Sequence, residues 1–140
     1  MSQTVEYKKI EPGSSLPAVC ASSPYRAVIV VDAEVTAEWR VLVSDWLVRS
    51  GCLYVMAWGK NCSAWDDSVD EASIAQFFPA EPLDDRIVMT TWHEREPLEE
   101  VFWFAKNSAI HPTVRLERTV LVHISFHDKE RFFQETYDVV

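Results

Sequence analysis

The chain has 140 residues, 48% hydrophobic and 12% aromatic with six tryptophans, which suffices for one core without disulfide staples. A formal net charge of -9 works against a phosphate backbone and so against nucleic acid as a partner, and no apolar run reaches the roughly 18 residues of a membrane span. The three cysteines, Cys20, Cys52 and Cys62, show no CxxC spacing and read as reduced thiols of a cytoplasmic protein.

Residues 1–24 are rich in proline and serine, with Gly13 among them, and read as an N-terminal arm, within which Val5–Ile10 offers an edge strand. Residues 25–140 read as an α/β domain. Ala27–Val31 is a continuous β-branched run ending in Asp32, the pattern of a strand buried on both faces. Thr36–Ser50 follows as a helix with Trp39, Leu42, Val43, Trp46 and Leu47 on one stripe, Thr36 to cap it and Gly51 to end it. On that helix Val41 and Val48 are expected to face outward, which makes a homodimer a candidate state.

Cys52–Trp58 is apolar throughout and too short for a second helix, so it reads as the next buried strand. Ser68 and Glu71 are spaced as a capping box ahead of a short helix that Pro79 and Pro82 stop. Ile87–Trp92 gives a third strand. Pro97 is expected at the first helical position of a helix carrying Leu98, Val101, Phe102, Ala105 and Ala109 on its stripe. Thr119–Phe126 is a fourth strand with polar residues at His123 and Ser125, and Asp128–Tyr137 a closing helix. The alternation argues for an α/β fold: one three-layer domain with a small, mainly parallel sheet of four or five strands and helices on both faces.

In such a sheet the carboxyl ends of the strands share one edge, where open α/β sheets bind ligands. That edge is expected to gather Asp32 and Glu34, then Lys60, Asp66 and Asp67, then His93 and Glu94, then His127 and Asp128. Carboxylates brought close together repel unless a cation sits among them. A Mg²⁺ or Mn²⁺ ion held by Asp32, Asp66 and Asp67 would relieve the repulsion, with Asp32 and His93 as a catalytic pair. Against this, acids just ahead of helices are ordinary caps, and capping outweighs metal binding for Glu34, Asp66, Asp67 and Glu94. With glycine only at 13, 51 and 59 the chain has neither GxGxxG nor a P-loop, and it carries no GxSxG elbow.

The tryptophans point elsewhere. Trp103 falls opposite the apolar stripe of its helix, among Glu99, Glu100 and Asn107, which is the setting of an interface anchor. Trp58, Trp65 and Trp92 are expected together near the strand ends, either roofing the core or lining a pocket; in the second case Trp58, Lys60 and Trp92 are binding residues. Two functions follow. The first, favoured because caps account for the acidic edge, is an acidic module of immunity or antitoxin type, or a complex subunit, that binds a protein with a basic surface. The second is a metal-assisted hydrolase or nucleotide-processing enzyme at the carboxyl edge of the sheet.

The segments AWGKNCSAWDDSVD and VMTTWHEREPLEEVFWFAK, taken with RAVIVVDAEV, resemble a group of small bacterial proteins classed as a domain of unknown function. The resemblance covers most of the chain from Tyr25 to Ser125. It implies a bacterial source and a Rossmann-like fold, and it carries over no activity and no catalytic residue.

Overall fold

The computed structural model describes residues 4–18 and 24–140; Cys20 lies outside them. Five strands form one parallel sheet: β1 (Thr4–Ile10), β2 (Tyr25–Val31), β3 (Cys52–Gly59), β4 (Met89–His93) and β5 (Arg118–Ile124), in the order β1-β5-β2-β3-β4. Among the described residues four α-helices accompany them: α1 (Ala37–Arg49), α2 (Cys62–Phe77), α3 (Leu98–Asn107) and α4 (Glu130–Asp138). No helix among the described residues is long and apolar enough to cross a membrane.

The strands read as unbroken apolar runs because both faces of the sheet are covered. On one face Ala27, Ile29 and Val31 of β2, with Val55 and Ala57 of β3, pack under Trp39, Val43 and Leu47 of α1 and Trp65 and Val69 of α2. On the other, Val28, Val30 and Met56 meet Val101, Phe102 and Ala105 of α3 and Phe133 and Tyr137 of α4. The three layers anticipated from the alternation of elements are therefore present, and the fold is Rossmann-like: β2 sits centrally, successive crossovers build outward to β3 and β4, and α3 then returns the chain to β5 on the other side of β2.

The N-terminal segment joins this sheet. β1 pairs with β5 along its whole length, from Thr4 opposite Arg118 to Ile10 opposite Ile124. The connection to β2 is pinned by two indoles of α1, Trp39 Nε1 donating to the Ser14 carbonyl (2.9 Å) and Trp46 Nε1 to that of Pro17 (3.0 Å).

Several local expectations change. Thr36 does cap α1, its hydroxyl accepting from the Trp39 N–H at 3.2 Å, and Gly51 follows the helix at φ +100°. Yet Val48 is buried and Leu42 exposed, because α1 packs against α2 as well as the sheet, and this turns the buried stripe toward Ser44 and Val48. Ser44 Oγ donates to Ser68 Oγ across that contact at 2.8 Å. Of the two valines offered for a homodimer contact, only Val41 is at the surface. Ser68 is no cap: α2 starts at Cys62, directly after Asn61 in the left-handed region (φ 54°), so the residues of the apparent capping box lie within the helix. Pro97 stands one place ahead of α3, at its N-cap, with extended backbone angles.

Candidate functional site

The two sides of the sheet diverge between β2 and β5. From β2 the chain leaves through α1 to β3, whereas β5 is reached by α3 on the opposite face, so their carboxyl ends flank a topological switch point. Asp32 follows β2 there, its N–H donating to the Ile124 carbonyl at 3.0 Å. His123, the penultimate residue of β5, points into the α3 and α4 layer, fully buried, with its ring tilted against Phe133 at 4.5 Å between centroids.

Both nitrogens of that ring are bonded. Nε2 meets Asp32 Oδ2 in a short contact, and Nδ1 lies 2.7 Å from the Tyr7 hydroxyl of β1. The Tyr7 oxygen also accepts the Lys129 N–H at 3.0 Å. With Lys129 donating to the phenol oxygen, the Tyr7 O–H is free to donate to Nδ1 while Nε2–H donates to Asp32. Burial pushes the Tyr7 phenol above its ordinary pKa, which keeps it the protonated donor this arrangement needs. The chain thus runs from the half-buried Tyr7 through the buried His123 to the Asp32 carboxylate, which is 36% exposed. It ties the carboxyl ends of β2 and β5 to the middle of β1.

Sequence reasoning placed Asp32 here and paired it with His93. The structure gives His93 other partners: at the end of β4 it is buried, with Thr91 Oγ1 2.8 Å from Nε2 and Glu96 Oε2 3.0 Å from Nδ1. The same loop is held by Trp58, whose Nε1 donates to the Glu96 carbonyl at 2.7 Å. Trp58 and His93 therefore fasten the turn into α3. Lys60 is exposed, and its N–H closes the turn after β3 on the Val31 carbonyl at 2.9 Å. Trp92 is 51% exposed, while Trp65 is fully enclosed in the core beneath α2, so the anticipated cluster of three tryptophans is divided.

Asp66 and Asp67 lie on the second turn of α2, apart from Asp32, and Asp70 one turn further on; one oxygen of each of the carboxylates of Asp66, Asp67 and Asp70 falls within 4.8 Å of the others. Thr90 of β4 donates its hydroxyl to Asp70 Oδ1 at 2.8 Å. Asp66 is only 4% exposed, and its Oδ1 has no hydrogen-bond partner. Burial raises the Asp66 pKa, opposed by Thr90 and reinforced by Asp70 and Asp67. Neither described thiol is primed as a nucleophile. Burial pushes Cys52 up to about 12, and Cys62 is likewise raised, by burial and by Glu94.

On the outer side of α3, Trp103 is 52% exposed, with Glu99 and Glu100 exposed one turn earlier. Asn107 Nδ2 donates to the Trp103 carbonyl at 3.0 Å. Many of the cations are engaged locally, Arg118 bidentately with Glu6 (2.8 and 2.9 Å), Arg49 with Asp45, Arg115 with Glu117 and Arg131 with Glu135. Lys106 donates to the carbonyls of Tyr137 and Val140. None of these pairs reaches the α3 acids.

His123, Tyr7 and Glu96 were not singled out from the sequence as site residues. The polar pair His123 and Ser125 in an otherwise apolar strand was the available signal for the first. A search of curated proteins and a search of solved structures each returned no match. The model of the family described as Domain of unknown function (DUF7684) matches residues 5–139, from β1 through α4, and the chain belongs to that family.

Proposed function

We propose that this protein is an acidic binding module that docks a partner protein of basic surface through the outer face of α3. The observation that carries this reading is Trp103, half exposed beside Glu99 and Glu100 with no salt bridge to those acids among the described residues. Large aromatics anchor interfaces because they bury much area at small entropic cost, and surrounding acids steer and select a basic partner. The chemistry elsewhere supports it indirectly. The ring nitrogens of His93, His111 and His123 are all taken up by protein groups, and the described thiols are buried. The immunity or antitoxin class, and a complex subunit, are forms such a module takes.

Affinity capture from a lysate of the source organism, with the captured proteins identified, tests this. Trp103→Ala is expected to reduce capture of a basic protein at least tenfold, and Glu99→Lys with Glu100→Lys to do the same, while the unfolding midpoint stays within about 2 °C of wild type. Capture that is equal in all three proteins removes α3 from the interface. Sedimentation of the purified chain separates a foreign partner from a second copy.

A second reading rests on a different observation, the water-facing Asp32 carboxylate held by His123 at the switch point. There Asp32 would act as a general base in a hydrolase or nucleotide-processing enzyme. A panel of phosphoester and nucleotide substrates, assayed with and without Mg²⁺ or Mn²⁺, should then reveal a turnover that Asp32→Asn lowers at least a hundredfold. Silence of the wild type across the panel counts against it.

A further inference from the structure

We propose that Asp66, Asp67 and Asp70 of α2 hold a hard divalent cation at the contact with β4, with Thr90 as the residue that positions Asp70. The site is independent of the docking face on α3 and of Asp32. Residues four apart share a helix face, which stacks Asp66 and Asp70, and Asp67 enters from the adjoining row three residues before Asp70. Their oxygens converge within 4.8 Å, and none of the three takes part in a salt bridge to lysine, arginine or histidine among the described residues.

Two features set this group apart from a solvated acidic patch. Asp66 is almost wholly buried and keeps one oxygen with no hydrogen-bond partner, although buried polar atoms are rarely left unsatisfied. Helix capping does not account for it either. Asp66 stands a full turn inside α2, where it caps nothing, and the field of the helix terminus fades within the first turn. An ion where the three carboxylates converge would neutralise their mutual repulsion and give the buried Asp66 carboxylate a partner. The donor set is carboxylate oxygen only, which selects Mg²⁺, Mn²⁺ or Ca²⁺ over metals that prefer nitrogen and sulfur. Asp67 is exposed and leaves room for water to complete the coordination shell.

Calorimetric titration of chelator-treated protein with MgCl₂, MnCl₂ and CaCl₂ tests the site, with thermal unfolding in parallel. The expected result is one saturable ion per chain with Kd below about 1 mM for at least one of the three salts, and a rise in the unfolding temperature that follows the same saturation. Asp66→Asn, close in shape, and Asp67→Asn, at the surface, should each weaken binding at least tenfold; Asp32→Asn should leave it unchanged. Absence of saturable binding for all three salts overturns the proposal, as does binding that neither variant weakens. If the ions fail to stabilise the wild type while Asp66→Asn raises its unfolding temperature, the proposal is also overturned, and Asp66 is a buried carboxyl relieved by protonation instead.

Discussion

Gly59→Ala is expected to destabilise the fold by roughly 2 to 5 kcal/mol, read as a lowered midpoint in urea unfolding. Two costs combine. Gly59 sits at φ +100°, where a β-carbon is strained by about 1 to 2 kcal/mol. That β-carbon would also stand 2.3 Å from the Val31 carbonyl oxygen, a contact that only a backbone shift can relieve, at about 1 to 3 kcal/mol. Val31 cannot yield easily, because its carbonyl accepts the Lys60 N–H and its neighbour Asp32 is bonded to Ile124 and His123. Gly59→Asn separates the two costs: asparagine tolerates positive φ, yet its β-carbon meets the same oxygen, so it should be nearly as damaging as alanine. Gly13 is the control. It too has positive φ (+78°), with nothing within 4 Å of where a β-carbon would lie, and Gly13→Asn should be close to neutral. Equal midpoints for wild type and Gly59→Ala would rule out the close approach of the β3 turn to β2.

His123→Ala should cost about 2 to 4 kcal/mol, since it opens a cavity beside Phe133 and removes two hydrogen bonds. His123→Phe refills most of that volume and keeps the loss of hydrogen bonding, so it should cost about 1 to 2 kcal/mol. Tyr7→Phe removes only the phenol oxygen and should cost about 1 kcal/mol, as Lys129 is exposed and its N–H can turn to water. The coupling is the sharper test. With His123→Phe already in place, Tyr7→Phe should cost measurably less than in the wild type, because part of its value lies in the bond to Nδ1. Strict additivity of the two would mean that Tyr7 and His123 contribute separately, whatever their distance.

Local patterns carried most of the elements. The stripe of α1 and its Thr36 cap, the apolar strands and the acidic start of α3 are written in residues close together in the chain, where periodicity and capping chemistry act. The start of α2 was hidden for a physical reason. Asn61 enters the left-handed region two residues after Gly59, a turn that reverses the chain without any side-chain cap, so the spacing of Ser68 and Glu71 imitated a helix start already six residues past. That error also made Asp66 and Asp67 look like caps, when they lie inside the helix.

The site shows the same division. Asp32 was readable as the acid ending a core strand, and His123 as a polar interruption in another. Their union was not, because it depends on β5 lying between β1 and β2, an order fixed by how whole layers pack. Tyr7 was out of reach for the same reason: it belongs to a segment whose composition suggests an arm, and it acquires its role only by pairing with β5. Trp103 was legible from helical spacing alone, since an outward residue on an amphipathic helix needs no knowledge of the sheet.

The position of β5 also constrains how the chain reaches its native state. Tyr7 and His123 are 116 residues apart in sequence, yet they meet in adjacent strands. During translation β1 leaves the ribosome long before its partner, and the edge of β2 that β5 will cover stays open for nearly as long. Growth of the sheet by β3 and β4 does nothing for either edge. Closure is thus a late event in which one strand enters between β2 and a segment that has no other strand to pair with, and an early arrest of synthesis leaves both exposed to pairing with other nascent chains.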